Sequence, residues 1–171
     1  MRARDSQRKR VYTAERVLSK FSTPLREVKD VQRFCKKQLQ RKAILRRYPD
    51  AARAFRVSDG RGRTNACAYG GWMIAIPLWA RNSHIVIHEM AHIVTSRHYG
   101  PNVAGHGWEY ASVFLDLVRF IMGKEAHDAL KQSFKDNKVR FTKPRTRKPL
   151  SPEAKAALAL RLAEARAKIA S

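Results

Sequence analysis

The sequence predicts a small α+β domain, mostly helical with a short antiparallel sheet, followed by a basic linker and a C-terminal helix. Three observations carry that expectation. Apolar residues recur at helical spacing in several stretches bounded by capping and stop signals. One Gly-Gly dipeptide joins two short β-prone runs. Beyond residue 137 the composition turns basic and proline-containing before an alanine-rich segment begins. The predicted boundaries are a core domain of residues 1–137, a linker of 138–150 and a helix of 151–171. With 171 residues, 44% of them apolar and 29% charged, the chain is long enough to bury a core.

The elements follow in order. Residues 5–20 and 25–47 read as helices, the second strongly basic with Val28, Val31, Phe34, Cys35 and Leu39 as its inward stripe. Residues 64–69 and 72–76 are strands joined by Gly70-Gly71, and 54–57 offers a third. Asn82 or Ser83 then caps a helix whose Val86, Met90, Ile93 and Val94 form one apolar stripe, stopped by Gly100-Pro101. A second apolar-periodic helix covers 108–122 and a third about 124–136. Residues 138–148 hold six basic side chains and no acid, with Pro144 inside and Pro149 just after, as an exposed linker does. Ser151-Pro152-Glu153 supplies a cap, a first-position proline and a first-turn acid for the final helix, whose Leu158, Leu160, Leu162 and Ile169 form a modest apolar face.

The chemistry is concentrated in His88-Glu89-Met90-Ala91-His92. On a helix the two histidines lie on one face, about 6 Å apart along the axis, so both can reach one Zn²⁺ at roughly 2.0–2.1 Å. Glu89 is placed to act on a water at the metal, as a general base. A catalytic zinc takes three protein ligands and keeps one open position. Three residues compete for the third place. His98 stands six residues after His92, but a helix continuing past Thr95 would turn it about 240° away. Glu109 falls in the first turn of the next helix, where an acid also interacts favourably with the helix dipole. His106 lies in Gly105-His106-Gly107, a turn able to fold a side chain back toward the first helix, and it is the preferred ligand.

With these residues in place, the pattern resembles the SprT-like zinc metallopeptidases, in which HExxH is followed by HGxxF or HGxxW. Here His88–His92 is followed after thirteen residues by His106-Gly107-Trp108-Glu109-Tyr110. More narrowly, the chain is similar to a group of metallohydrolases from actinobacteria and their phages. The matching positions are Arg4, Asp5, Arg8, Val11, Tyr12, Ala14 and Glu15 near the start, Pro77, Trp79, Ala80 and Arg81 before the first motif, and residues 122–126 after the second. The resemblance spans most of residues 4–140. It implies a zincin-like core, zinc held by His88, His92 and His106, Glu89 as catalytic acid/base, and Tyr110 as a packing aromatic. The chain has no CxxC pair to build the C-terminal zinc ribbon that many SprT-like proteins carry.

Charge is the second strong signal. The net charge is +22, and residues 1–50 contribute +11 of it from sixteen Lys/Arg and five Asp/Glu. Such an excess points to sequence-independent contacts with nucleic acid phosphates; no helix-turn-helix or zinc-finger reading element accompanies it. No stretch is long enough to span a bilayer, the longest apolar run being residues 72–80 with a proline inside. No apolar secretory leader opens the sequence, so the expected location is cytoplasm, bacterial or that of an infected host. Cys35 and Cys67 read as reduced, packed thiols. The combined expectation is a zinc hydrolase cleaving peptide bonds in DNA-associated protein. The alternatives are a DNA-binding accessory protein with a non-catalytic zinc site and a metallohydrolase with a non-peptide substrate. Residues 72–76 would be the edge strand onto which an extended peptide could add, or would instead pack on the motif helix. Tyr99, Tyr110, His98 and Arg97 are the groups considered as oxyanion helpers, none singled out by spacing.

Overall fold

The computed structural model describes residues 5–144 and 151–170, the last three of these as backbone only. Helix α1 (Arg8–Glu15) tightens into a 3-10 segment (Arg16–Phe21) and is followed by α2 (Val28–Leu39) and α3 (Lys42–Arg47). Strands β1 (Arg56–Ser58), β2 (Cys67–Tyr69) and β3 (Met73–Ala75) lead into α4 (Ser83–Tyr99), α5 (Trp108–Met122), α6 (Lys124–Asp136) and α7 (Pro152–Ala170). The chain is α+β and mostly helical, as its periodicity predicts.

Two expected helices are subdivided. The one expected over 5–20 starts at Arg8 and narrows at Arg16, beside the point where the Ser133 hydroxyl donates to the Ala14 carbonyl at 2.9 Å. The one expected over 25–47 breaks after Leu39, and Arg41 adopts an extended conformation. In a continuous helix Ile44 would stand about 140° around the axis from Leu39. The break returns it inward, and both side chains are buried.

The sheet corrects two expectations. It is mixed rather than antiparallel: in the order β1-β3-β2, β2 pairs antiparallel and β1 parallel to β3. The run at 72–76 is therefore central and not an edge. Gly70 and Gly71 adopt φ of 49° and 80°, the left-handed values of a tight hairpin turn, and the Trp72 amide donates to the Tyr69 carbonyl at 2.9 Å. That hairpin takes one side of β3. The loop after Ser58 then carries the chain past the sheet, leaving β1 on the other side in the same direction as β3. Covered on both edges, β3 continues into a buried apolar run, Ile74-Ala75-Ile76.

The core forms where α4 and α5 pack together, with α6 packed on α5 and α1 in turn on α6. Helix α4 is buried nearly all round, because α2 and the sheet cover the side that α5 does not. Packing extends past the predicted boundary at 137: Val139 is buried and Phe141 lies 6.0 Å from Phe134, ring to ring. The compositional change at Lys138 precedes the end of the packed domain because the basic side chains alternate with these inward apolar ones. Part of the expected linker, 145–150, lies outside the described residues. In α7, Leu158, Leu160 and Leu162 are exposed. Among the described residues no helix is long and apolar enough to cross a membrane.

Candidate metal centre

Helix α4 is capped by the Asn82 side chain, which accepts from the Ile85 amide. One turn apart on it, His88 and His92 point their Nε2 atoms to a common spot, 3.2 Å from each other. His106 comes from the loop that turns into α5, and its Nε2 lies 3.4 Å from that of His88. All three ligand atoms fall within 4.8 Å of one another. Nitrogens bound to one tetrahedral ion at 2.0–2.1 Å stand roughly 3.3 Å apart, so the cluster has the right size for such an ion.

The donors are also chemically prepared. Glu15 Oε2 accepts from His88 Nδ1 at 2.5 Å, and Asp5 Oδ2 from His106 Nδ1 at 2.8 Å. A carboxylate at Nδ1 keeps a hydrogen there and leaves the Nε2 lone pair for a metal. Burial acts to lower the pKa of both imidazoles, with opposite net results. At His106 burial prevails over Asp5, and the ring is held below the ordinary histidine value. At His88, the charge and hydrogen bond of Glu15 outweigh burial and hold the ring above it. Proton and metal would compete for Nε2, so a metal bound at His88 would displace a proton there. Three imidazoles with a partly open cleft fit zinc, and would suit other imidazole-seeking divalent ions as well.

Glu89 sits on the wall of the same cleft, 4% exposed, and its Oε2 is buried without a hydrogen-bond partner. Burial pushes its carboxyl up to about 7 against the opposing influence of His88. The cleft measures about 840 Å³ and runs between this wall and Cys67 and Ala68 of β2. Aromatic rings hold the three imidazoles in place. Tyr110, fully buried, stacks on His92 at 4.3 Å and donates its hydroxyl to the His88 carbonyl at 3.4 Å. Tyr12 stacks on His88 and meets His106 edge-on.

His88, Glu89, His92 and His106 are thus brought together as the spacing predicts, whereas the other two ligand candidates are not. Helix α4 continues unbroken to Tyr99, leaving His98 exposed, and Glu109 stays in the first turn of α5, outside the cleft. Of the oxyanion candidates, Arg97 is committed to backbone carbonyls and Tyr110 to the His88 carbonyl, while Tyr99 lies outside the cleft lining. Asp5, Tyr12 and Glu15 have no predicted role, yet all three touch the ligands. Their signal is the polar spacing 5, 8, 12, 15, which gathers on one side of a helical stretch.

No family model, curated protein or solved structure matches the chain. The assignment of the centre rests on its donor set and its geometry.

Proposed function

We propose that this chain is a zinc-dependent hydrolase, a metallopeptidase of the SprT-like kind acting on protein associated with nucleic acid. The observation that carries the reading is Glu89: a buried carboxylate with an unpartnered oxygen beside a three-histidine cluster, facing a cleft. A purely structural zinc site closes its fourth position with another ligand and has no use for such a group.

Bound zinc supplies Lewis acidity, polarising a carbonyl and lowering the pKa of water toward roughly 7. His88, His92 and His106 would hold it. Glu89 takes the proton of the attacking water and returns it to the leaving amine, a role suited to a carboxyl whose affinity for protons has been raised by burial. Glu15 and Asp5 keep two of the imidazoles oriented while this occurs. The open side of the cleft is bordered by β2, which is the edge strand there, and an extended peptide can add along it while its scissile bond reaches Glu89. The net charge of +22 supports a nucleic acid partner bound through phosphates.

The test is zinc content together with cleavage of a DNA-bound protein, with and without DNA, in wild type and Glu89→Gln. The expected outcome is zinc in both and cleavage in wild type alone. Zinc in both without cleavage in either would move the assignment to a non-peptide substrate or to a binding protein with a non-catalytic zinc.

A further inference from the structure

We propose that the N-terminal segment, residues 5–15, is the outer wall of the metal centre, with Asp5 and Glu15 acting as positioning residues that set metal affinity through His106 and His88. The inference rests on the reading of His88, His92 and His106 as ligands.

Asp5 holds His106 at two points. Its Oδ2 accepts from the ring Nδ1 at 2.8 Å and its Oδ1 from the His106 backbone amide at 3.3 Å, across 101 residues of sequence. One carboxylate thus fixes both the ring and the loop that presents it. Glu15 holds His88 across 73 residues. Two separate acids of one short segment converge on two of the three candidate ligands, each at the nitrogen opposite the metal-facing one.

The loop makes room for this arrangement. A Cβ added at Gly105 would lie 3.1 Å from Asp5 Oδ2, although the backbone there is not left-handed. A side chain before His106 would push the carboxylate back by a few tenths of an ångström, so the glycine serves the approach of Asp5 rather than the turn. The segment is also fastened from behind. The Gln7 side chain donates to the Arg140 carbonyl at 2.9 Å and accepts from the Arg140 amide at 3.0 Å, and Arg10 donates to the Lys138 carbonyl at 2.8 Å. Val11 and Ala14 are fully buried. Anchored in this way, the segment can hold the two imidazoles in one tautomer and one orientation before a metal arrives. Removing outer carboxylates of this kind costs on the order of 10–100-fold in metal affinity.

The experiment is competition of the full-length, metal-stripped chain with a chromophoric chelator for Zn²⁺, combined with the visible spectrum of the Co²⁺ form. Asp5→Ala and Glu15→Ala are each expected to weaken zinc about 10–100-fold and to alter the Co²⁺ bands. Asp5→Asn and Glu15→Gln keep an acceptor oxygen and are expected to fall between these and wild type. They also decide the matter if an alanine variant fails to fold. Gly105→Ala should weaken zinc by displacing Asp5, and Asp128→Ala, on the exposed face of α6, should change nothing. Wild type binding one zinc while all Asp5 and Glu15 variants bind within twofold of it, even with lowered thermal midpoints, would overturn the proposal and leave the ligands intact. Wild type binding no zinc would overturn the ligand assignment and this proposal with it.

Discussion

Tyr48 and His98 meet edge to face, their ring centroids 5.1 Å apart. Tyr48 is itself anchored, its hydroxyl donating to Asp116 Oδ2 at 2.6 Å. His98 therefore packs on the α3–α5 side of α4, about 240° around the helix from His92. Its six-residue spacing from the motif is a coincidence of sequence. His98→Ala is expected to retain one zinc per chain, whereas His106→Ala should lose most of it, as measured by elemental analysis after desalting. The reverse result would return His98 to the ligand set.

Glu89→Gln separates binding from turnover. The amide is nearly the same size and removes the proton-accepting charge without touching any ligand nitrogen. Zinc content should stay at the wild-type level while hydrolysis falls about 10²–10⁴-fold, the range a general acid–base group contributes. Turnover within a few-fold of wild type would rule out Glu89 as the base.

The helices from α4 to α6 and the histidine cluster were legible because their signals are local. Gly107 and Gly123 flank α5, and α5 and α6 occupy the residues that periodicity predicts. The sheet was less legible: with strands of three residues, nothing near Arg56 indicates that it runs parallel to β3. The supports of the metal centre were hidden for a related reason. Asp5 and Glu15 meet their histidines across long stretches of sequence; the family pattern includes both positions and their polar spacing points to a common face, but neither signal connects them to His106 or His88.

Arg97 shows how an active-site candidate turns out to be a brace. Its guanidinium donates to the carbonyls of Gly71 at 2.9 Å, Ala51 at 2.9 Å, Arg53 at 2.8 Å and Ala54 at 3.1 Å, tying the hairpin turn and the segment before β1 to α4. Arg97→Ala strands several carbonyls at once and should lower unfolding stability by about 2–4 kcal/mol. Zinc affinity should change little, since no ligand is touched. Denaturant unfolding and zinc titration on the same variant check both halves of this expectation.

The two thiols should differ sharply. Cys35 is fully buried on α2, and burial pushes its thiol up to about 12 from an ordinary 9. It should remain unmodified by a thiol reagent at pH 8 until the chain is unfolded, while Cys67, partly exposed on the cleft wall, reacts in the native state. The sign of the linkage follows. Because the folded pKa is the higher one, stability from the neutral Cys35 is complete below pH 9 and is lost as pH rises toward 12. Two rapidly reacting thiols in the native protein would contradict the burial of α2.

The basic surface makes a quantitative demand of its own. On α2, the outward residues Lys29, Arg33, Lys36 and Lys37 are exposed, and the acids nearby are Glu27, paired with Lys29 at 2.8 Å, and Asp30, 3.7 Å from Arg33. Lys36 and Lys37 have no acid on the same helix face within a turn, so they are the cations most available to a phosphate. If this face meets duplex DNA, the logarithm of affinity should fall linearly with the logarithm of salt concentration, and each phosphate contact removed should reduce the slope by about 0.9. Replacing Lys36 and Lys37 together by Ala should therefore flatten it by about 1.8, equally on unrelated sequences, in fluorescence anisotropy titrations. An unchanged slope would place the nucleic acid elsewhere on the molecule, and binding indifferent to salt would remove phosphate contacts from the account altogether.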